Sequence, residues 1–595
     1  MPRGQALNVW AEREAPATLV SALVAAGYGP LVARLLAARG IGVEDADAYF
    51  SPSISALASP SELPGIDRAA EILLDFAVRG DKIVVFGDYD CDGVCATAIL
   101  VKAISAVAKE GASPRPFLPE RLTEGYGMNA VSVSRMLAEN PDVKLVVTVD
   151  NGINSVDEIA SLTGKGISVV VTDHHLPGEE LPQADAVVNP KVAAPAHLEG
   201  LCGAGVAFLL ANALVNLAKT RGVYNGPSVG GPLLVLAGLA TVTDVMPLVG
   251  QNRILVAEAL KRFRSLAPLG LKELFDRASR SAQPTLTTKD FGFLIGPRIN
   301  AAGRLASGME ALELVISTDR EDARELARRV DVRNAERKSV EQSMLDGALS
   351  QIVPGAPAQV IDLPDGHQGV SGIVAARILE RLSSSGDGSG PVPVCVVVGA
   401  HGSARAPEGY NVRDAFVASD EALDRYGGHA AAGGFSVKPG MIDRFRELFK
   451  AACAAQAAKM PEGESAVSRL DAWVSGADLT LELADWLQKM EPCGEANSEP
   501  LFGIRGVHFS EIRPLGAEGR HLVATFRDRS VPKAIWWNRG DRVEELRAHS
   551  AAAYDIVFTL EANDYMERHV EIRLVDVVPS SCSLPEAPGA AQNHV

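Results

Sequence analysis

The stretches KIVVFGDYDCDG (82–93), KLVVTVDNG (144–152) and ISVVVTDHH (167–175) decide how this chain is read. Each opens with a short apolar, largely β-branched run, the pattern of a strand buried on both faces. Helical segments flank them, so the three belong to one parallel sheet with helices on both sides. In such a sheet, ligands bind beyond the carboxyl ends of the strands. All three runs end there in acidic or imidazole groups: Asp88, Asp90 and Asp92, then Asp150, then Asp173, His174 and His175.

A single aspartate at a strand end is ordinarily a turn or cap residue. Several converging on one edge repel one another and desolvate badly unless a cation holds them together. Asp244, just beyond the apolar run GPLLVLAGLATV (231–242), offers a further carboxylate. Oxygen and imidazole donors without thiolates suit Mn²⁺ or Mg²⁺ and not a structural zinc. Two such ions form the usual clamp for in-line phosphoryl displacement, so the reaction class is phosphodiester hydrolysis.

Working outward, 595 residues provide for roughly three to five domains with real cores. Lys and Arg total 57 against 74 Asp and Glu, a net charge of −17 that speaks against bulk attachment to nucleic acid or an anionic membrane. It leaves room for a local basic groove. Arg3, Glu12, Arg13 and Glu14 break up any apolar leader. The 231–242 run is about half the roughly 20 residues that span a bilayer and reads as a buried helix. Seven cysteines (91, 95, 202, 395, 453, 493, 582) form no CxxC pair, which fits a reducing cytoplasm. Cys91 and Cys95 read as packing residues at a helix start. The expectation is a cytoplasmic protein with no membrane partner.

The pattern divides the chain into an N-terminal helical segment (1–65), an α/β catalytic domain (66–285), a Gly-rich motif loop with a long charged connecting helix (286–350), a second α/β domain (351–462), a small β-barrel (463–578) and a disordered tail (579–595). In the barrel, Trp536 and Trp537 are adjacent, so on a strand they point to opposite faces and at most one is a stacking platform.

DYDCDG, VDNG, TDHH and the Asp244 segment TVTDVMPL resemble, in order, the motifs of the DHH phosphoesterases. RLTEGYG (121–127), PRINAAGR (297–304), GSAR (402–405) and GGH (427–429) narrow the resemblance to the RecJ family, over about residues 65–575. The fold this implies is a parallel-sheet DHH domain joined by a long helix to a DHH-associated α/β domain, with an OB-like β-barrel at the C-terminal end. It implies Asp88, Asp90, Asp92, Asp150, His174 and Asp244 as ligands of two Mn²⁺ or Mg²⁺ ions. His175, with Asp173, then forms the catalytic group near the scissile phosphate. Arg121, Asn300, Arg304, Ser403, Arg405 and His429 are the expected contacts to substrate and 5′-phosphate.

The activity implied is that of a single-strand-specific 5′→3′ exonuclease releasing mononucleotides, in recombination and repair. A RecQ-type helicase and a single-strand-binding protein are its implied partners. The chain departs from the family pattern at Asp365-Gly366-His367-Gln368-Gly369, where a Trp-His pair is usual, at Ala406, where Ser is common, and at Thr243, where Ala is usual. None of these removes a metal ligand. Two other readings compete: a DHH hydrolase of oligoribonucleotides or cyclic dinucleotides, and a scaffold that has lost catalysis, as in the Cdc45 relatives. The barrel weighs against the first, and the intact Asp and His set against the second. With an acidic exterior, DNA is expected only along a groove lined by Arg121, Arg304 and Arg405.

Overall fold

The computed structural model describes residues 10–125, 127–227, 229–279, 286–384, 391–460, 468–563 and 567–580. Of the expected disordered tail 579–595, residues 581–595 lie outside this range, Cys582 among them.

The three opening stretches form the centre of a five-stranded, all-parallel sheet. Its order is Arg115–Phe117, Ile83–Phe86, Leu145–Val149, Ser168–Thr172, Ala186–Val188. Successive side chains of a strand face opposite ways, and here both ways lead into a core. Val85, Val147 and Val170 join one apolar cluster with the helices Ile66–Arg79, Cys91–Val107, Gly203–Thr220 and Gly230–Thr243. Val84, Val146 and Val171 join another with Ala130–Glu139 and Val156–Gly164. Burying each such side chain contributes about 1.5–3 kcal/mol, and the strand ends are rigid for that reason. The 231–242 run is the buried helix expected. Gly203–Thr220 is long and apolar enough to cross a membrane, but 67% of it is buried within this domain.

The stretch FGFLIGPRINAAGRLASG, expected as a motif loop, is instead helical: a π-helical segment Asp290–Ile295 runs into the helix Gly296–Leu305. Its glycines serve close packing and not turning. A Cβ on Gly296 would lie 2.2 Å from Thr243 Cγ2, and one on Gly303 2.4 Å from the Tyr89 carbonyl oxygen. The charged connector is one helix, Arg320–Leu349, capped by Asp319. Arg298 is tied to it, donating to Asp331 at 2.9 Å.

Beyond it, a mixed five-stranded sheet runs Leu423–Gly428, Ala432–Val437, His401–Arg405, Val394–Val398, Gln359–Asp362. The C-terminal unit is a seven-stranded sheet, from Ala472–Trp473 at one end of its order to Phe509–Leu515 at the other. Trp536 is buried there and Trp537 is exposed, so the alternation expected of the pair holds. The N-terminal helices Ala17–Ala25, Pro30–Ala37 and Val43–Phe50 pack on this last unit and not on the catalytic sheet: Leu23, Val32, Leu35 and Leu36 share a core with Leu483, Leu487 and Met490. A buried Arg39–Asp471 pair at 2.9 Å and the parallel strand pair Trp10–Glu12 with Ser468–Leu470 fix them there.

Candidate metal centre and anion pocket

Three strand ends and three helix ends meet at one point. Asp90 caps the helix Cys91–Val107, its Oδ1 accepting from the Gly93 N–H at 3.0 Å. Asp92, in the first turn, accepts from the N–H groups of Gly203 and Ala204, each at 2.7 Å, where the helix Gly203–Thr220 begins. A Cβ on Gly203 would meet the Asp150 side chain at 2.6 Å, so a larger residue there would displace that carboxylate. Asp244 caps the C-terminal end of Gly230–Thr243. His174 Nε2 stands 3.1 Å from Asp150 Oδ1 and 3.6 Å from both Asp92 Oδ2 and Asp244 Oδ2. Asp150 and Val245 both have left-handed backbones, with φ of 60° and 55°. Aspartate tolerates that conformation, but for a β-branched residue it is strained.

The electrostatics call for a cation. Burial, and then the neighbouring acids, hold the Asp88, Asp90 and Asp150 carboxyls above their ordinary range and push Asp244 up to about 8. Asp88 Oδ1 is buried with no hydrogen-bond partner. Burial outweighs the pull of Asp92 and lowers the His174 imidazole, which keeps it a neutral donor. Ligand atoms of Asp88, Asp90 and Asp150, of Asp92, His174 and Asp244, and of Asp150, His174 and His175 form three groups, each within 4.8 Å. These hard oxygen and imidazole donors fit Mn²⁺ or Mg²⁺.

Asp173 plays a different part. Its oxygens accept from the N–H groups of Ile153, His174 and His175 and from His175 Nδ1 at 2.8 Å. Burial raises this carboxyl, yet the bond from His175 and the backbone donors bring it below its ordinary range. Burial acts to lower His175, and Asp173 outweighs it, pushing the imidazole up to about 9. Asp173 thus orients His175 rather than offering oxygens to an ion.

Tyr89, between Asp88 and Asp90, also walls a second space of about 390 Å³ with Arg121, Gln368, Ser371 and Ser403. The Arg121 guanidinium lies 5.2 Å from the centre of the Tyr89 ring. Arg304 donates to the Gly369 carbonyl at 3.1 Å and Arg405 to that of Ala404 at 2.7 Å. Burial and then repulsion from Arg121 lower Arg304 to about 10, and the same two causes lower Arg405. An anion placed among these guanidiniums would relieve their mutual repulsion. The Ser371 and Ser403 hydroxyls bond to each other at 2.9 Å where the helix Ser371–Ser384 begins, and its N-terminal N–H groups add to the field.

Of the expected substrate contacts, Arg121 and Ser403 line this space, and Asn300 and His429 make their contacts outside its walls. Asn300 Oδ1 accepts from the Cys91 N–H at 2.7 Å, so it clamps the start of the motif helix. His429 is exposed at the turn of the hairpin Leu423–Val437, its N–H donating to the Ala432 carbonyl at 2.8 Å. Conversely, Tyr89, Ser371 and Gly203 belong to the site without having been singled out in the sequence. Tyr89 was legible inside DYDCDG, and Ser371 as a hydroxyl opening an amphipathic helix. Gly203 carried no signal, because its role depends on a contact with Asp150 from a distant strand. At the family's Trp-His position, Gln368 lines the anion pocket and His367 Nδ1 accepts from the Gly369 N–H.

The model of the DHH family N-terminal domain matches residues 82–227, and that of the RecJ OB domain residues 470–576. RecJ of Salmonella typhimurium, a single-stranded-DNA-specific exonuclease, is 35% identical over 503 residues, covering 80% of this chain and 83% of that protein. The crystal structure of Thermus thermophilus RecJ with Mn²⁺ aligns with a TM-score of 0.79 at 32% identity, over 98% of this chain and 79% of that one. A structure of the same protein with Mg²⁺ aligns with a TM-score of 0.73 at 31% identity, over 98% and 78%. With most of both chains aligned around a carboxylate–histidine cluster and an arginine pocket, this chain belongs to the RecJ family.

Proposed function

We propose that the chain is a single-strand-specific 5′→3′ exodeoxyribonuclease, hydrolysing phosphodiester bonds to release 5′-mononucleotides. One observation carries the reading: Tyr89 is at once flanked by Asp88 and Asp90 and part of the wall of the arginine pocket. A terminal phosphate held by Arg121, Arg304, Arg405 and Ser403 therefore places the next phosphodiester at the carboxylates. Asp88, Asp90, Asp92, Asp150, His174 and Asp244 are the residues to hold two divalent ions, Mn²⁺ or Mg²⁺. Bound there, such ions supply Lewis acidity and neutralise charge gathering on the phosphoryl group. Asp173 holds His175 through Nδ1 and so orients the imidazole as the general acid for the leaving oxygen.

The division of the chain at 65, 285, 350, 462 and 578 is part of the same proposal, with the N-terminal helices serving the C-terminal unit. So are a cytoplasmic location, which suits free thiols at all six described cysteines, a role in recombination and repair, and delivery of substrate by a RecQ-type helicase and a single-strand-binding protein.

The test is digestion of 5′- and 3′-labelled single strands, a blunt duplex and a cyclic dinucleotide with Mn²⁺, Mg²⁺ or EDTA. Metal-dependent release of labelled mononucleotide is expected from the single strands only, at once from the 5′-labelled strand and last from the 3′-labelled one. Cleavage of the cyclic dinucleotide in preference to the strand would move the chain to the dinucleotide hydrolases. Asp150→Ala is expected to lower turnover by at least about a thousandfold while strand binding, measured by fluorescence anisotropy, stays within about threefold, because the arginine pocket and the groove carry the affinity.

A further inference from the structure

The mixed sheet turns a polar face towards the pocket of about 390 Å³. Alternation along His401–Arg405 puts His401, Ser403 and Arg405 on that face. Gly402 and Ala404 turn to the other, where Phe435, paired with Gly402, is buried in the core. The strand register then sets out rows across the sheet. Ser403, Gly434 and Gly427 form one row, and His401, Ser436 and Arg425 form another two residues along. Two residues of strand rise about 7 Å. All six residues line the same pocket as Arg121.

The first row belongs to the terminal phosphate. Ser403 bonds to Ser371, and a Cβ on Gly372 would lie 3.1 Å from Arg405 Nη2 and 3.5 Å from Ser403 Oγ, so hydroxyl and guanidinium meet at one point. Beside Ser403 the floor is bare backbone, and a Cβ on Gly427 would meet nothing within 4 Å. The second row is a separate set of donors. Arg425 and His401 are exposed, and His401 Nδ1 bonds to the Ser436 hydroxyl at 2.9 Å. Among the described residues, neither Arg121 nor Arg425 is paired with an acid.

Pockets of about 300–1,000 Å³ take a whole small molecule, and a terminal monophosphate at Ser403 leaves the second row without a charge to bind. The donors there suit further phosphates and not a base. Guanidinium, imidazole and hydroxyl groups all offer hydrogen bonds to phosphate oxygens. The Tyr89 ring, which could have stacked on a base, is already faced by the Arg121 guanidinium at 5.2 Å.

We infer that the row His401, Ser436 and Arg425 is a subsite for the β- and γ-phosphates of a strand that carries a 5′-triphosphate. This rests on the proposed exonuclease reading and widens its substrate class: the α-phosphate takes the place of the terminal monophosphate, and the following phosphates continue along the sheet to Arg425. The cut itself is unchanged. Water adds to the phosphorus of the first internucleotide bond, the bond from that phosphorus to the 3′-oxygen of the terminal nucleotide breaks, and the 3′-oxygen takes a proton. The products are a nucleoside 5′-triphosphate and a shortened strand with a 5′-monophosphate.

The test compares single strands of one sequence with a 5′-monophosphate or a 5′-triphosphate, labelled in the α-phosphate. For release of the first nucleotide, the wild type is expected to show a KM about tenfold lower on the triphosphorylated strand, the scale of one hydrogen bond to a charged group, and to release labelled nucleoside triphosphate. In Arg425→Ala the ratio of the two KM values should fall to about one, and in Arg425→Glu it should invert, while Arg425→Lys keeps an advantage. Equal KM values in the wild type, or an advantage that Arg425→Ala retains, overturn the inference while leaving the exonuclease reading intact. A second measurement needs no turnover: tripolyphosphate, orthophosphate or ATP displaces a 5′-phosphorylated, 3′-fluorescent strand in EDTA, followed by anisotropy. The wild type should need about tenfold less tripolyphosphate than Arg425→Ala, with orthophosphate acting alike on both. Equal competition by tripolyphosphate contradicts the subsite. ATP that competes as well as tripolyphosphate, beside two strands cut alike, assigns the row to free nucleotides and overturns the strand-end reading. Failure to cut the monophosphorylated strand refutes the exonuclease reading, and the competition still decides whether this row binds polyphosphate.

Discussion

Arg405 and Arg304 bear the clearest residue-scale consequence, because their charges are held against like charge and desolvated before any anion arrives. A hydrogen bond to a charged group contributes about 1.5–3 kcal/mol. Arg405→Ala is accordingly expected to reduce the preference for 5′-phosphorylated over 5′-hydroxyl strands about tenfold or more, through KM and not kcat. Competition between the two strand types for one enzyme sample measures it, and an unaltered preference reassigns the anion pocket. The cluster residues were legible because each sits at or just beyond the end of an apolar run: strand geometry brings Asp88, Asp150, Asp173 and His174 to one sheet edge, while Asp90, Asp92 and Asp244 stand at helix ends. The contacts that Asn300 and His429 make within the protein were not legible, since their surrounding motifs do not say which neighbour takes the side chain. Asn300 faces the Cys91 N–H because a helix N-terminus leaves that donor without an intrahelical partner.

At the scale of the element, the segment that carries Arg121 is held by Glu124. Its carboxylate accepts from Arg135 at 2.6 and 2.9 Å and from the Glu120 N–H at 2.7 Å, and Asn129 donates to its carbonyl at 2.9 Å. The bond from Arg135 holds Glu124 below its ordinary value against the opposing effect of burial. A carboxyl depressed on folding contributes stability that is present above its unfolded value, about 4.3, and is lost as pH falls through the lower folded value. Glu124→Gln should therefore lower Tm by a constant amount at neutral pH, with the gap to wild type closing below about pH 4.3. Paired melting curves across that range check it, and a gap that widens on acidification contradicts the sign. The same contrast between pattern and contact explains why the Gly-rich stretch around 296–303 reads as a loop in sequence yet is a helix. Glycine signals a turn, and only the tertiary neighbours Thr243 and Tyr89 reveal that here it permits close approach.

Across the whole molecule, the net charge of −17 and the strand-binding role are reconciled by where the acid lies: several of the carboxylates converge on the metal centre, and Arg121 lines the pocket that shares Tyr89 with it. A strand guided this way must stay aligned with both the pocket and the C-terminal sheet, so the two units have to be held together firmly. Arg253 is the staple. Buried on the helix Gly250–Leu266, it donates to the carbonyls of Tyr49, Met490, Glu491 and Pro492 at 2.9–3.2 Å, and its guanidinium lies 3.9 Å from the centre of the Tyr49 ring. One side chain thereby fastens the catalytic domain, the N-terminal helices and the approach to the C-terminal sheet, a junction that no sequence period announces. Arg253→Met leaves those carbonyls without a donor and is expected to cost about 3 kcal/mol. The functional consequence belongs to the strand's far side: the first nucleotide is released at nearly the wild-type rate, because the metal centre and arginine pocket are untouched, while the number removed per binding event falls severalfold. Digestion of a long labelled strand in the presence of excess competitor DNA reads that run length. A run length unchanged beside a lowered Tm means that the C-terminal unit guides the strand without needing this junction.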